Sequence, residues 1–255
     1  MRKNKIAIFD SGLGGLTVLK ALKNILPNEN YLYFGDVAHL PYGNKSKDII
    51  TKNCIKIVDF LNKQQVKLII VACNTASSTS LNQIKKHTQT PVIDVISPCV
   101  DQAIKTTKNQ SIGIIGTKTT IDSQTYFKKI KEFDKKINVF SQACPLLVPI
   151  IEEALHNHKI AQEATKLYLK NLPDTIDTLI LGCTHYPLMK ETITTHCNKH
   201  TQILDSAIIA SEHVKCFLYK TKLITSQHKD KTAKFYVSDD PKKFKKTLIR
   251  LMSIG

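Results

Sequence analysis

Two cysteines stand where an apolar run meets the start of a predicted helix. Cys73 ends the run VKLIIVAC and is followed by NTASS, and Cys183 ends TLILGC and is followed by THYPL. Unpaired backbone N–H groups at a helix start lower the pKa of a nearby thiol, and the thiolate is the reactive form. Asn74 or Thr75 can cap the first helix, and Pro187 suits the first turn of the second. We therefore predict that both thiols are reactive.

Two reactive thiols on opposite walls of one cleft suit a particular proton transfer. Inverting the α-carbon of an amino acid needs a base on one face and an acid on the other, and the two exchange roles in the reverse direction. A pyridoxal enzyme would use a Schiff-base lysine and a phosphate-binding loop instead. The glycine-rich DSGLGG at 10–15 has neither GxGxxG spacing nor a P-loop lysine, and we interpret it as a tight turn whose backbone amides approach a carboxylate. The sequence thus favours α-carbon inversion without a cofactor.

The rest of the sequence alternates between strand and helix patterns. Apolar runs predict strands at residues 6–9, 31–35, 66–73, 91–96, 111–117, 137–142, 178–183 and 201–206. Helix-length segments lie at 14–26, 45–64, 75–87, 98–107, 119–133, 158–171 and 187–199. Nearly continuous apolar strands between helices indicate an α/β protein with parallel sheets covered on both faces. Ligands of such sheets bind beyond the carboxyl ends of the strands, which is where both cysteines stand.

The order of elements repeats in the two halves of the chain. Asp10 and Cys73 are 63 positions apart, and Thr117 and Cys183 are 66 positions apart. Because a cysteine ends the equivalent strand in each half, the spacing predicts a duplicated, pseudo-symmetric α/β unit with the active site between two domains. The predicted domains are a first at 1–96, completed by 207–255, and a second at 97–206.

The basic composition favours no nucleic-acid role. The 255 residues carry a net charge of +16, and among the basic side chains only Arg2 and Arg250 are arginines. Proteins that read bases and phosphates favour the guanidinium group, whereas these lysines are scattered over predicted helix surfaces. We interpret the charge as a solvated lysine coat and expect no nucleic-acid binding. Neither a membrane span nor a signal-peptide pattern is present, so we expect a cytoplasmic protein with no membrane contact.

The other cysteines and histidines are predicted to be structural. The seven cysteines show neither CxxC pairs nor metal-ligand spacing, so we expect free thiols and no metal site. Buried, inert thiols are expected at Cys54, Cys99, Cys144, Cys197 and Cys216. Surface or loop histidines are expected at His39, His156 and His158.

Four motifs in order carry a family resemblance. FDSGLGG at 9–15, LPYG at 40–43, VACNTAS at 71–77 and LGCTHYPL at 181–188 closely resemble the glutamate racemases of bacterial cell-wall synthesis, within the aspartate/glutamate racemase superfamily. The resemblance covers residues 6 to about 206. It implies two pseudo-symmetric α/β domains, interconversion of L- and D-glutamate by two cysteines without metal or cofactor, and a supply of D-glutamate for peptidoglycan. It also implies a homodimer.

The resemblance assigns roles around the two thiols. Cys73 would act on the proton of D-glutamate and Cys183 on that of L-glutamate. Asp10 and His185 match the auxiliary residues that assist proton transfer at the first and second cysteine. A carboxylate can accept a proton from a thiol, and an imidazole can stabilise a thiolate.

Further site residues follow from the same resemblance. Glu152 resembles a family carboxylate near the second cysteine, although Glu153 fits the motif as well, and both read as first-turn residues of a helix. The expected substrate-binding residues are Asp10, Ser11, Tyr42, Gly43, Asn74, Thr75, Thr117, Thr184 and His185. Thr119 is a further candidate.

Three other functions remain open at this point. A related racemase acting on aspartate is the nearest alternative; the THYP motif and the overall length favour glutamate, and assays of both amino acids would separate the two. A cysteine hydrolase or transferase would use one thiol as a nucleophile with His185 as base, and its second cysteine would be dispensable. A nucleic-acid-binding or topoisomerase-binding protein would show steeply salt-dependent retention on DNA.

Overall fold

The computed structural model describes residues 5–225 and 232–252 of the chain. Arg2 and parts of the segment 207–255 therefore lie outside the described residues. The strands are β1 Lys5–Asp10, β2 Asn30–Gly35, β3 Leu68–Val71, β4 Val92–Asp94, β5 Ser111–Gly116, β6 Asn138–Ala143, β7 Thr178–Gly182, β8 Gln202–Asp205 and β9 Ala233–Val237. The helices are α1 Leu16–Ile25, α2 Lys47–Lys63, α3 Asn74–His87, α4 Ser97–Thr106, α5 Lys118–Asp122, α6 Thr125–Phe133, α7 Leu147–Glu152, α8 Lys159–Leu169, α9 Lys190–Thr195, α10 Ser206–Lys220 and α11 Pro241–Met252.

The strands form two parallel sheets with the same internal order. The first sheet runs β4-β3-β1-β2-β9 and the second runs β6-β5-β7-β8. Matching β1 to β5, β2 to β6, β3 to β7 and β4 to β8 gives identical neighbours, and β9 extends the first sheet by pairing with β2. The predicted fold class, two pseudo-symmetric α/β units with parallel sheets, is confirmed.

The strand register brings the two cysteines to equivalent positions. Phe9 pairs with Val71 in the first sheet, and Gly116 pairs with Gly182 in the second. If each pairing is extended past the strand ends, Cys73 lies opposite residue 11 in the first sheet and Cys183 lies opposite residue 117 in the second. The duplication therefore holds at the level of single residue pairs.

The apolar strands build cores on both faces of each sheet. Ile6 and Ile8 of β1 lie in one apolar cluster, whereas Ala7 and Phe9 lie in another, as expected for side chains that alternate across a strand. The first cluster continues to Leu179 and Leu181 of β7 and includes residues of α1 and α10. One core therefore joins the two sheets.

The residues that follow α10 return to the first sheet, where hydrogen bonds from Lys67 hold them. Lys67 Nζ donates to Glu29 Oε2 at 2.6 Å, to the Leu223 carbonyl at 2.7 Å and to Thr225 Oγ1 at 3.0 Å. Lys67 and Glu29 are both buried, so each charge depends on the other for compensation. This arrangement agrees with the proposed return of 207–255 to the first domain, and the domain boundaries themselves stay a prediction.

Two predicted helices differ from the observed ones. The segment 119–133 is interrupted because Gln124 adopts a left-handed conformation with φ of 58°, which separates α5 from α6. The segment 187–199 begins instead as a 3₁₀ turn at Tyr186–Met189 and becomes helical only at α9. No helix in the described part of the chain combines the length and apolar character that crossing a bilayer requires.

Candidate active site

A cavity of about 270 Å³ lies beyond the carboxyl ends of strands from both sheets. Both Cys73 and Cys183 line it. The other predicted site residues that line it are Ser11, Tyr42, Gly43, Asn74, Thr75, Thr117, Glu152, Thr184 and His185. Lining residues that the sequence analysis did not include are Leu40, Pro41, Asn44, Lys118, Pro145, Val148 and Pro149. Pro41, Asn44 and Lys118 adjoin a predicted site residue, and Leu40 and Pro41 belong to the LPYG motif, whereas the sequence held no signal for Pro145, Val148 and Pro149.

Cys73 caps the helix that follows it with its own sulfur. Its Sγ accepts from the Ala76 N–H at 3.4 Å at the start of α3, and the thiol donates to Ser11 Oγ at 3.4 Å. The prediction that Asn74 or Thr75 would be the cap is therefore wrong. Burial, followed by the nearby Asp10 carboxylate, raises the pKa of Cys73 to about 12, against the opposing effect of the two hydrogen bonds. Burial and the Asp10 charge thus outweigh the helix start, which was predicted to lower the pKa of this thiol.

Cys183 lies against an imidazole rather than at the start of an α-helix. Its Sγ is 3.8 Å from His185 Nδ1, and the next residues form a 3₁₀ turn that begins at Tyr186. His185 Nε2 is 3.2 Å from Glu152 Oε1. Burial alone would lower the pKa of His185, but its hydrogen bonds to Cys183 and Glu152 outweigh burial and hold that pKa well above its ordinary value. The imidazole beside the second thiol is therefore a stronger base than an ordinary histidine.

The structure separates the two adjacent glutamates. Glu152 is the last residue of α7 and contacts His185, whereas Glu153 follows the helix and is exposed. Neither lies in a first helical turn, contrary to the sequence-based expectation. Of the two, only Glu152 lines the cavity.

Asp10 lies behind the first thiol rather than in the cavity wall. Its carboxylate is buried, and Oδ2 accepts from the Gly12 N–H at 2.9 Å. Oδ1 has no hydrogen-bond partner among the described residues. Its negative charge is the second contribution to the raised pKa of Cys73. Asp10 therefore does not line the cavity, and neither does the further candidate Thr119; Asp10 is placed to act on Cys73.

The turn at DSGLGG carries the first unit into contact with the two residues that follow the second cysteine. A Cβ built on Gly14 would lie 2.5 Å from His185 Nδ1 and would overlap Thr184 Oγ1. Thr17 Oγ1 donates to the Gly14 carbonyl at 2.8 Å and to the Thr184 carbonyl at 2.9 Å. Only glycine therefore fits at position 14.

Several polar side chains around the cavity are already engaged. Tyr42 donates its hydroxyl to Asp36 Oδ2 at 2.6 Å, so the tyrosine offers its backbone and ring to a ligand. Asn74 Oδ1 accepts from the Tyr126 hydroxyl at 2.7 Å, and Asn74 Nδ2 has no partner within the described residues. The Asn74 amide is therefore a buried donor available to a bound anion.

A cluster of hydroxyls joins the two units beside the cavity. Thr75 Oγ1 lies 2.9 Å from Thr117 Oγ1, and both lie within hydrogen-bond distance of Thr120 Oγ1. Thr75 is the second residue of α3, whereas Thr117 caps α5 and Thr120 lies within it. These hydroxyls connect residues 42 to 45 positions apart in the chain.

The remaining cysteines and histidines differ in part from expectation. Cys54, Cys99 and Cys144 are buried as predicted, whereas Cys197 is partly exposed and Cys216 is exposed. His39 and His158 are exposed, but His156 is buried, so its prediction as a surface or loop histidine is wrong on exposure. In the described ranges, no group of three or more His, Cys, Asp and Glu side chains could hold a metal ion.

Comparison with known proteins gives one consistent result. Residues 16–214 match the family model described as Asp/Glu/Hydantoin racemase. A glutamate racemase from Thermoanaerobacter pseudethanolicus is 42% identical over 253 residues, which are 99% of this chain and 94% of the relative. The structure of glutamate racemase from Francisella tularensis in complex with D-glutamate superposes with a TM-score of 0.92 at 38% identity, covering 99% of this chain and 95% of that one. Glutamate racemase isoform RacE1 from Bacillus anthracis superposes with a TM-score of 0.94 at 33% identity and the same coverages. The chain therefore belongs to the Asp/Glu/Hydantoin racemase family.

Proposed function

We propose that this chain interconverts L- and D-glutamate, with Cys73 and Cys183 exchanging protons with opposite faces of the substrate's α-carbon. The observation that carries the proposal is that the two thiols line a single cavity from equivalent strand ends of two related sheets. The cavity volume of about 270 Å³ is small beside sites for drug-sized ligands, which run from roughly 300 to 1,000 Å³. It suits a small metabolite such as an amino acid.

The surroundings of the two sulfurs suit the direction from L- to D-glutamate. Cys73 holds its proton because burial and Asp10 raise its pKa, so it is the acid. Cys183 Sγ lies 3.8 Å from His185 Nδ1, and the raised pKa of His185 favours transfer of the thiol proton to the imidazole, so Cys183 would be the base. In one turnover the α-proton passes to Cys183 Sγ and the proton of Cys73 passes to the opposite face of the carbon. The assignment of faces rests on family resemblance.

The auxiliary groups would prepare each sulfur to act as the base. Asp10 would accept the proton of Cys73 when Cys73 must act as base, and its unpartnered Oδ1 supports this role. His185, held by Glu152, would serve Cys183 in the same way. Each sulfur would thus have its own proton acceptor.

Neutral donors would hold the carboxylates of the substrate. The Asn74 amide, the hydroxyls of Ser11, Thr75, Thr117 and Thr184, and the backbone at Tyr42 and Gly43 all border the cavity. Such preorganised donors stabilise negative charge that develops at the substrate carboxylate as the α-proton leaves.

Glutamate is favoured over aspartate by the relatives. Those with matching length and above 40% identity are named glutamate racemase, and the Francisella enzyme was solved with D-glutamate. We further propose that the product serves peptidoglycan synthesis, that the protein acts in the cytoplasm, and that it forms a homodimer. These proposals follow from the family.

The decisive experiment is solvent exchange. The purified protein would be incubated with L-glutamate, and separately with L-aspartate, in D₂O without added cofactor, and circular dichroism and α-deuterium incorporation would be followed. We expect D-glutamate carrying α-deuterium and far slower reaction of aspartate. Faster reaction of aspartate, or no inversion of either, would refute the proposal.

Variants of the thiols separate a two-base enzyme from one that uses a single nucleophile. Cys73→Ser and Cys183→Ser should both abolish racemisation, while exchange of the α-proton of one enantiomer can survive in each. Cys99→Ser is the matched control, because Cys99 is buried away from the cavity. Full activity in either Cys73→Ser or Cys183→Ser would favour the hydrolase or transferase alternative.

A further inference from the structure

One wall of the cavity is a loop that reaches from the first unit to the second. Residues 40–45, here called the 40–45 loop, follow β2, and Leu40 through Asn44 all line the cavity. The loop includes Tyr42 and Gly43, whose backbone we expect to bind substrate. Its position therefore decides whether that part of the binding site is formed.

The first unit holds the loop through a buried carboxylate. Asp36 lies just after β2 and accepts from the Tyr42 hydroxyl at 2.6 Å, while its other oxygen is 2.8 Å from His39 Nδ1. Asp36 and Tyr42 are both buried. This contact fixes the loop only to the unit from which it arises.

The second unit holds the same loop through one hydroxyl. Thr119 Oγ1 donates to the Gly43 carbonyl at 2.7 Å and lies 3.5 Å from the Lys45 carbonyl. Gly43 also packs so closely that a Cβ built on it would lie 2.9 Å from Thr117 Cβ. The peptide after Gly43 is thereby fixed from the far side of the cavity.

Thr119 is not itself part of the cavity wall. It is absent from the lining residues, which include its neighbours Thr117 and Lys118. Its side chain is partly buried between α5 and the loop. Any effect on a bound substrate must therefore pass through the Gly43 peptide.

We propose that Thr119 is a positioning residue for the racemisation proposed above: its hydroxyl holds the 40–45 loop against the second unit, so that the substrate meets a wall already formed. A wall ordered before binding spares the substrate the entropic cost of ordering it. Without the hydroxyl, part of the binding free energy must close the loop. Substrate affinity then falls while the thiols and their partners are untouched.

The test compares Thr119→Val, Thr119→Ser and Thr125→Val with the wild type. Valine keeps the shape of threonine and removes the hydroxyl, whereas serine keeps the hydroxyl. Thr125 is the matched control because its Oγ1 also bridges the two units, donating to the Ser78 carbonyl at 2.9 Å, but it contacts neither the loop nor the cavity.

KM and kcat for both enantiomers and the rise in melting temperature caused by glutamate are the readouts. We expect Thr119→Val to raise KM about tenfold, equivalent to about 1.4 kcal/mol, with kcat little changed and a smaller rise in melting temperature. Thr119→Ser should restore the wild-type KM, and Thr125→Val should leave it unchanged.

Three results would overturn the role of Thr119. They are an unchanged KM in Thr119→Val, an equal rise in Thr125→Val, and a serine variant as weak as the valine variant. Each of these presupposes racemisation by the wild type, so they are distinct from failure of the proposed function. Absence of racemisation in the wild type would overturn the function and this role together.

Discussion

Gly14→Ala should slow racemisation about a hundredfold, because the added methyl group would displace the His185 ring that lies beside Cys183. The added Cβ would lie 2.5 Å from His185 Nδ1 and 2.7 Å from His185 Cε1, whereas ordinary contact begins at 3.4 Å. The two groups must therefore separate by about 0.9 Å, and a misplacement of about 1 Å costs on the order of 100-fold in rate. His185 is buried between Cys183 and Glu152, so the ring cannot move without losing one of these contacts.

The assay is racemisation in both directions, with α-proton exchange measured separately for each enantiomer. Exchange on the Cys183 side should fall more than exchange on the Cys73 side, because the displaced ring serves Cys183. Gly113→Ala is the control: its Cβ would come within 2.8 Å of Ile176 Cδ1, the flexible end of a core side chain far from either thiol. That variant should lose stability and keep its kcat. Wild-type rates in Gly14→Ala, or an equal loss in Gly113→Ala, would refute the reasoning.

Two further predictions concern pH. Glu152→Gln should lower the pKa of His185, because the Glu152 carboxylate is one of the groups that raise it. The alkaline limb of the pH profile of kcat/KM should therefore move to lower pH. Glu153→Gln, which changes an exposed residue, should leave that profile unchanged. Burial, and next Asp205, raises the pKa of Cys99 above its ordinary 9.0, so the folded state keeps a proton that the unfolded state loses. The contribution of Cys99 to the free energy of unfolding is thus complete below pH 9 and falls above it. Cys99→Val should make the fall of the unfolding free energy with pH shallower, as measured by urea titrations at several pH values. An unaltered slope against pH would contradict this.

The sequence could predict the strands that carry the thiols because their signal is local. β3 and β7 are runs of buried Ile, Leu and Val, and in a parallel sheet such runs end at the ligand side. The equal register of the two sheets follows from the same repeat. The positions of Cys73 and Cys183 therefore needed no knowledge of long-range contacts.

The surroundings of the thiols depend on contacts that a linear pattern does not contain. The helix α7 has only six residues and includes Pro149, so it has too little periodicity to be recognised. Neighbouring helix residues point about 100° apart, and only tertiary packing decides that Glu152 rather than Glu153 meets His185. The raised pKa of Cys73 likewise depends on how completely the folded chain excludes water.

Isolated histidines and cysteines outside the motifs were predicted least well. His156 lies between α7 and α8, where no hydrophobic repeat indicates which side faces inward, and it is buried. Cys216 sits on α10, a long helix that contacts both α1 and α4, and its outward direction depends on where those neighbours pack. Residue type alone carries little information at such positions.

The unlike groups beside the two matched sulfurs act under a thermodynamic constraint that holds in every variant. Mirror-image forms of one molecule have equal free energy in water, so a catalyst that interconverts them works at an equilibrium constant of one. The ratio of kcat to KM must then be the same for both enantiomers, whatever residue is changed. Asp10 beside one sulfur and His185 with Glu152 beside the other break the twofold relation, and that inequality can surface only in kcat and KM taken singly, which must then differ between the two enantiomers by the same factor.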